Sequence, residues 1–134
     1  MQANLKTVSA KFPTNAACIQ HLEALRWDGQ PRCPHCESPK HTPVAKESRY
    51  HCNGCNLSYS ATVKTVFHNT RVDLRRWFLM ISILVNARRV PSARSLAVVI
   101  GVNKNTACYM AMRVRHWMLK DREFLLRLAD SLTD

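Results

Sequence analysis

Four of the six cysteines in this sequence occur as two matched Cys-x-x-Cys pairs separated by fifteen residues. Cysteine thiolates suit Zn²⁺, and a two-residue spacer lets both sulfurs of a pair point inward from one tight turn. Pro34 fixes φ in the first turn, and Gly54 can adopt a positive φ in the second at no steric cost. The spacing therefore predicts a structural Zn²⁺ site with four ligands, Cys33, Cys36, Cys52 and Cys55.

The sequence disfavours disulfides, a redox pair and a catalytic zinc as roles for these cysteines. Disulfides require an oxidising compartment, and the first residues lack the pattern of a secretory signal. A redox pair needs a single Cys-x-x-Cys beside a βαβ pattern. Four thiolates already fill the Zn²⁺ shell, so His35 and His51 are left out as ligands and a catalytic zinc is disfavoured. Cys18 and Cys108 lie on apolar helical stripes, where we expect buried core residues.

The residues around the cysteine pairs predict a small antiparallel sheet. Residues 42–44 and 49–51 have strand composition, and residues 56–63 alternate with period two. These strands and the two cysteine turns describe a zinc ribbon. A segment of roughly 30 residues buries too little apolar surface to be stable alone, whereas structural Zn²⁺ supplies on the order of 10–16 kcal/mol of apparent binding energy. The metal is therefore expected to hold this part of the fold together.

The charge of the chain indicates a polyanionic partner. Twenty Lys and Arg against nine Asp and Glu give a formal net charge of +11, and residues 64–120 hold eleven of the basic residues and one acid. Nucleic acid and an anionic membrane surface both attract such a charge, but the apolar helix faces are needed for a core, which favours double-stranded DNA. No apolar run approaches the ~20 residues of a membrane span, so we expect a cytoplasmic, nucleoid-associated protein with no membrane partner.

Three helices are predicted in this basic half. Asp73 caps the first, whose apolar residues recur with helical spacing from residue 74 to residue 85. Residues 91–92 open a short second helix that Gly101 ends, and Asn103 caps the third. A short helix, a glycine-containing turn and a second helix make a helix-turn-helix.

The exposed face of these helices is expected to contact DNA. An ordinary three-helix core would expose charges of both signs, whereas residues 91–120 contain five basic side chains and no acid. Basic and amide side chains donate to phosphates and base edges. The candidate DNA-binding residues are Lys64, Arg71, Arg75, Arg76, Arg88, Arg89, Arg94, Asn103, Lys104, Asn105, Thr106, Tyr109 and Arg113.

These elements predict a small α+β protein, in which a four-cysteine zinc ribbon with an N-terminal helix precedes an all-α helix-turn-helix bundle. The N-terminal helix, from Thr14 to about residue 25, is expected to pack on the ribbon with Trp27 as its anchor. The C-terminal helix carries apolar residues that either fold back on the core or support a homodimer. The predicted segments are 1–30 (N-terminal helix), 31–63 (ribbon), 64–72 (linker), 73–118 (helix-turn-helix module) and 119–134 (C-terminal helix).

Three stretches occur in a characteristic order: LEALRWDGQPRCPHCES, YHCNGCNLSYSATVKTVF and LRRWFLMISILVNARRVPSARSLAVVIGVNKNTACYMAMRVR. In this order, over about residues 12–117, they resemble the N-terminal region of one group of DDE insertion-sequence transposases, which begin with a zinc ribbon followed by a helix-turn-helix. The resemblance implies that the four cysteines bind zinc and that the helix starting near Asn103 reads the end of a DNA element. The sequence departs from the family at Glu37, where the family usually has glycine, and at Lys64, where it has glycine before Thr65.

Members of that group continue into a ribonuclease-H-like catalytic domain whose carboxylates hold two metal ions, and we expect this sequence to lack that domain. The nine acids of this sequence are scattered, without a βαβ pattern to gather them, so no catalysis is expected. The leading hypothesis is a non-catalytic, sequence-specific double-stranded DNA-binding protein, derived from a transposase and acting in transcription regulation. Two alternatives stay open. One is a ribbon that docks RNA polymerase or another transcription component through Tyr50, Leu57 and Tyr59, and the other is a DNA-end-binding fragment of a full transposase.

Overall fold

The computed structural model describes residues 5–28, 30–44, 49–63, 65–68, 70–89 and 91–132. The chain divides into two compact units, a ribbon unit (Ala16–Thr70) and a helical unit (Met1–Asn15 with Arg71–Asp134). A short antiparallel sheet, an N-terminal helix and a helical C-terminal region confirm the predicted α+β class. The elements are, in chain order, α1 (Leu5–Lys11), α2 (Asn15–Trp27), β1 (His41–Val44), β2 (Arg49–Cys52), β3 (Ser58–Tyr59), α3 (Leu74–Asn86), α4 (Ala93–Ile100), α5 (Lys104–Lys120) and α6 (Arg122–Ser131).

The sheet of the ribbon unit has three antiparallel strands in the order β1-β2-β3. His41 pairs with Cys52 at one end of the β1–β2 ladder, and Val44 pairs with Arg49 at the other. β3 adds two residues on the far side of β2. The first two strands lie where the sequence predicts them, and they place the second cysteine pair directly at the end of β2.

The third strand is shorter than the period-two pattern of residues 56–63 predicts. Asn56 has a positive φ of 62°, which is incompatible with an extended strand. After β3 the chain turns, because the Val63 N–H donates to the carbonyl of Ser60 at 3.2 Å. The Ser60 and Thr62 hydroxyls are also hydrogen-bonded at 2.8 Å. Backbone turns on both sides therefore limit the strand to Ser58–Tyr59.

The core of the ribbon unit combines sulfur and aromatic side chains. Cys33, Cys52 and Tyr59 are buried together, and Trp27 at the end of α2 packs against them. The Trp27 ring meets the Tyr59 ring edge-on with 5.6 Å between centroids, a favourable arrangement of two π systems. The prediction that Trp27 anchors the N-terminal helix on the ribbon is confirmed.

The two units differ from the predicted segments. α1 belongs to the helical unit, where Phe12 packs edge-on against Phe78 at 5.3 Å, whereas residues 16–27 of α2 belong to the ribbon unit. Within the predicted linker, Val66 and Phe67 are buried. Of the predicted N-terminal segment, residues 5–15 therefore belong to the helical unit and residues 16–28 to the ribbon unit.

α3 is the central helix of the helical unit. The Asp73 carboxylate accepts a hydrogen bond from the Arg75 N–H at 3.1 Å, which confirms the predicted cap. Trp77 is fully buried. α6 packs against α3 and buries Leu125 and Leu128. Of the two options for the C-terminal helix, the structure therefore has the fold-back onto the chain's own core.

α4 and α5 pack against each other and are joined by a short turn, residues 101–103. Gly101 is left-handed, with φ 83°, and its N–H donates to the Ala97 carbonyl at 2.9 Å. The Asn103 side chain accepts the Thr106 N–H at 2.8 Å and caps α5. The predicted ends of both helices at this turn are confirmed, and one local hydrogen bond fixes the end of α4 and another the start of α5.

Candidate functional site

The first cysteine pair lies in a tight turn that we call the first knuckle, residues 33–38. The Cys33 N–H donates to the Ser38 carbonyl at 3.1 Å, and the Glu37 N–H donates to the Cys33 carbonyl at 2.7 Å. The His35 N–H also approaches the Cys33 sulfur at 3.4 Å. These backbone N–H contacts close the turn around the first cysteine pair.

The second knuckle, residues 52–57, repeats this pattern. The Cys52 N–H donates to the Leu57 carbonyl, and the Asn56 N–H donates to the Cys52 carbonyl, both at 2.9 Å. The residue after the second cysteine of each knuckle has a left-handed backbone, with φ 65° at Glu37 and 62° at Asn56. The positive φ therefore falls one residue after each cysteine pair, and Gly54 does not use the positive φ that glycine permits.

Gly54 is needed instead for the close approach of the two knuckles. A Cβ at this position would lie 3.2 Å from the Cβ of Ser38 and 3.6 Å from the sulfur of Cys36. The first separation is tighter than ordinary van der Waals contact between carbon atoms. The missing side chain thus lets the knuckles bring their sulfurs together.

The four sulfurs form one compact cluster. The Sγ atoms of Cys33 and Cys55 are 3.7 Å apart, and those of Cys36 and Cys52 are 3.5 Å apart. All four lie within 4.8 Å of one another. Sulfurs bound to Zn²⁺ at about 2.3 Å are separated by about 3.8 Å in a regular tetrahedron. The cluster therefore fits the predicted ion, and these four cysteines would hold Zn²⁺.

The donor set of this cluster is complete. Among the described residues it consists of the four cysteines, and His35 and His51 lie outside it, as predicted. Four thiolates fill a tetrahedral shell and leave no position for a substrate or an activated water. Zn²⁺ would thus supply structure here, by joining the two knuckles.

Protonation differs between two neighbouring sulfurs of the cluster. The backbone N–H of Cys55, helped by that of Gly54, lowers the pKa of Cys52 to about 6 in spite of its burial. At Cys36 the backbone of Ser38 lowers the pKa, but the hydrogen bond with the Cys52 sulfur, burial and the other sulfurs raise it to about 12. At neutral pH Cys52 is therefore a thiolate before metal binding, and Cys36 must give up its proton.

Tyr59 lies next to the cysteine cluster and is fully buried, at 0% exposure. Burial, followed by the nearby cysteine charges, raises its pKa to about 12. Its ring stacks on Tyr50 with 5.7 Å between centroids. The predicted docking face of Tyr50, Leu57 and Tyr59 is therefore wrong for Tyr59, whereas Leu57 is half exposed.

Arg26 connects α2 to the chain after β3. Its guanidinium donates to the carbonyls of Ala61 at 3.1 Å and Val63 at 2.7 Å, and it lies 5.2 Å from the centre of the Trp27 ring. This cation is therefore a structural part of the ribbon unit. The residue types give no sign of this role, because the partners of Arg26 are backbone carbonyls.

The candidate DNA-binding residues before α5 fall into two groups. Arg75 and Arg76 lie 2.9 and 3.7 Å from the Asp73 carboxylate, and Arg75 also donates to the Pro13 carbonyl at 3.3 Å. These contacts partly neutralise both cations. Lys64 lies outside the described residues. The exposed members of the set are Arg71, Arg88, Arg89 and Arg94.

The first turn of α5 presents polar side chains to solvent. Lys104 and Asn105 are exposed. Asn103 acts as the cap, and the N–H of Thr106 is the group that it caps. Lys104 and Asn105 can therefore reach a partner from this turn. The other two predicted residues, Asn103 and Thr106, form the hydrogen bond that caps the helix.

Tyr109 and Arg113, one turn further along α5, contact each other. The Arg113 guanidinium donates to the Tyr109 hydroxyl at 2.7 Å, and the Tyr109 ring lies edge-on to Trp77 at 6.5 Å. Tyr109 remains 46% exposed. Both predicted residues are therefore at the surface of the helical unit, but their side chains are held in place by neighbours.

Cys108 and Met112 are exposed side chains of α5 that were not predicted as DNA contacts. Cys108 is exposed, so the expectation of a buried core residue is wrong. Met112 is 64% exposed. The helical period could have predicted the exposure of Cys108, because this residue lies about 100° around the helix from Ala107, which is buried.

Comparison with known proteins identifies the part of the chain that carries the cysteine cluster. Residues 13–58 match the family model described as the transposase zinc-ribbon domain. This match confirms the predicted resemblance for α2 and both knuckles. No curated protein and no solved structure matches the chain. Every helix in the described part of the chain is too short or too polar to cross a bilayer.

Proposed function

We propose that this protein is a transposase-derived module that binds double-stranded DNA through its helical unit, with the zinc ribbon as a structural part. The observation that carries the proposal is the exposed start of α5, Lys104 and Asn105, within a stretch, residues 91–120, that has no acidic side chain. The match of residues 13–58 to a transposase domain supports the origin of the module.

The arrangement of α4, the turn and α5 supports DNA reading by α5. In a helix-turn-helix the first helix crosses the DNA backbone, and the second helix directs its N-terminal residues at base edges in the major groove. α5 takes the second position in this chain. Ala97, a small buried residue of α4, allows the close packing that the motif needs, and Gly101 supplies its turn.

Exposed cations near α5 support phosphate binding. Arg88 and Arg89 follow α3, Arg94 lies in the first turn of α4, and Arg115 lies on α5, all of them exposed. Each phosphate that such a side chain neutralises releases condensed counterions, which makes the affinity fall with salt. Arg76 is paired with Asp73, so we assign it a smaller share of the binding.

We assign binding and no catalytic step to this chain. The four-thiolate shell has no open position for a reacting group. Asp73 is the one acid of residues 64–120, and it caps α3 while it pairs with Arg75 and Arg76. A carboxylate with these contacts is not available to hold a catalytic metal pair.

Two biological roles fit such a module. One is transcription regulation at a chromosomal site, and the other is binding to the ends of a mobile element, which the transposase match favours. The DNA sequence selected by the protein separates them. A selected sequence that recurs at both ends of a repeated element supports the transposase role, whereas one that lies upstream of genes supports regulation. RNA polymerase binding and a homodimer would add to either role.

The salt dependence of duplex binding tests the proposal. With a fluorescent duplex of about 30 base pairs of random sequence, about 6 phosphate contacts give a log–log slope of affinity against salt near −5. Arg88→Gln and Arg94→Gln should each reduce the magnitude of that slope by about 1.

Arg127→Gln is the matched control, because Arg127 is exposed on α6 outside the proposed surface. It should leave the slope unchanged. A slope near zero for the unmodified chain would contradict DNA binding, and equal effects of all three substitutions would contradict the assigned surface.

A further inference from the structure

The solvent face of α5 carries a strip of three side chains that begins at a polar residue of the first turn and continues with two less polar ones. Asn105, Cys108 and Met112 are three and four residues apart, so their side chains point from one face of the helix. All three are exposed, and Met112 has 64% of its surface accessible. A core role does not account for them, because the buried face of α5 is formed by other residues, Ala107, Met110, Ala111 and Val114.

The charges around this strip fit duplex DNA. Lys104 precedes the strip, Arg115 follows it on the same face, and both are exposed. Cations at the edges suit the phosphates that line the major groove, and the apolar centre suits the one apolar group on its floor, the thymine methyl. No acid of residues 91–120 opposes this fit.

The side chains available for base contact include Asn105, which the sequence predicted, and Cys108 and Met112, which it did not. Tyr109 and Arg113 are tied to each other by a 2.7 Å hydrogen bond, and Tyr109 also contacts Trp77. In the part of the chain that the structure describes, no side-chain hydrogen bond or ring contact holds Asn105, Cys108 or Met112. Met112 in addition has a flexible, polarisable chain that adapts to an irregular apolar surface.

We infer that Asn105, Cys108 and Met112 form the base-reading strip of α5, and that Cys108 and Met112 select thymine methyl groups in the major groove. This inference rests on the proposed duplex binding. It names the specificity-determining residues and the chemical group that they read. Leu119, although 90% exposed, lies about 10 Å beyond Met112 along the helix axis and is excluded from the strip, because the groove is only about 12 Å wide.

Replacement of thymine by deoxyuridine tests the inference, because it removes only the methyl group. The full-length protein is first used to select duplexes from a random library, and the selected duplex is then resynthesised with deoxyuridine at one thymine at a time. Loss of one buried methyl should weaken binding about fourfold at one or two positions.

Two matched variants assign that loss to the strip. Met112→Ala should abolish the difference between thymine and deoxyuridine at one of these positions while keeping the salt slope. Leu119→Ala, an exposed apolar residue of the same helix, should keep both the difference and the slope.

The outcomes separate this inference from the proposed function. Salt-dependent duplex binding with equal affinity for thymine and deoxyuridine at every position overturns the methyl reading and leaves duplex binding in place. A discrimination that Met112→Ala and Leu119→Ala reduce equally overturns the assignment to the strip. Absence of salt-dependent duplex binding overturns both the inference and the proposed function.

Discussion

The ribbon unit and the helical unit are stabilised in different ways. The ribbon unit gathers four sulfurs beside a small aromatic core around Tyr59, whereas the helical unit buries a set of large apolar side chains that includes Trp77, Phe78, Met110 and Leu128. A small core depends on its metal, while a larger apolar core is stable through burial alone. The comparison places metal dependence in one unit and the proposed DNA-reading surface in the other.

Loss of one metal ligand should produce the largest difference between the units. Cys52→Ser removes a thiolate from the Zn²⁺ shell, and structural Zn²⁺ contributes on the order of 10 kcal/mol of folding free energy. In amide NMR spectra, the signals of Trp27 and Tyr59 should collapse, while those of Trp77 and Leu128 stay dispersed. Cys108→Ser, at an exposed cysteine outside the cluster, is the control and should change neither set. Dispersed signals from the ribbon unit of Cys52→Ser would contradict this division.

A cavity in the apolar core should destabilise the helical unit and leave the ribbon unit intact, which is the reverse of the effect of losing a metal ligand. Leu128 is fully buried, so Leu128→Ala should lower the free energy of unfolding of the helical unit by about 2–5 kcal/mol and leave Zn²⁺ affinity unchanged. Leu126, on the same helix and 37% exposed, provides the control, and Leu126→Ala should cost under about 1 kcal/mol. Denaturant unfolding and chelator competition measure the two quantities. Equal losses of unfolding free energy from both substitutions would contradict the burial of α6 in the core.

Acidification should weaken the ribbon unit before the helical unit. The backbone N–H of Cys55 lowers the folded-state pKa of Cys52 from 9.0 to about 6. The thiolate therefore contributes its full stabilisation at pH values above the pKa of Cys52 in the unfolded chain. This contribution is lost as the pH falls through the folded-state pKa of about 6. Below that pH a proton competes with Zn²⁺ at Cys52, so the apparent affinity should fall by about one further decade per pH unit.

Competition with a chromophoric chelator between about pH 5 and pH 8 measures this effect. Thermal melting of the helical unit in the same buffers is the control, and its midpoint should move much less over the range where the metal is lost. An affinity for Zn²⁺ that changes with the same slope above and below about pH 6 would contradict the role assigned to Cys52.

The smallest predicted effect concerns the backbone of the first knuckle. Glu37 has a left-handed φ of 65°, a conformation that costs a residue with a Cβ about 1–2 kcal/mol. Glu37→Gly should therefore stabilise the Zn²⁺-loaded ribbon unit by about 1 kcal/mol, less the entropy that glycine adds to the unfolded chain. Asn56→Gly is the matched change in the second knuckle and should gain less, because asparagine tolerates this conformation better. A loss of stability in Glu37→Gly would show that the Glu37 side chain has a favourable contact.

The features that sequence predicted best are those set by local chemistry. The cysteine spacing identified all four members of the cluster, and the caps at Asp73 and Asn103 lie where predicted. A cap or a knuckle depends on residues within one turn of each other, so the residue types alone carry the information.

The features that sequence missed depend on contacts between distant segments or on a detailed backbone conformation. Gly54 is required by Ser38 of the other knuckle, and Arg26 binds backbone carbonyls some 35 residues away. β3 ends early because turns flank it, although its residues alternate. Cys108 is a different kind of error, since its position around the helix already excluded it from the buried stripe.

The central claim is that the first turn of α5 reads base edges, and one measurement tests it most directly. The affinity of Asn105→Ala is compared with that of the unmodified chain on two duplexes of about 30 base pairs, one selected from a random library and one of random sequence. We predict a loss of about 1–3 kcal/mol of binding free energy on the selected duplex and a much smaller loss on the random one. Equal losses on both duplexes, or no loss on either, would contradict it.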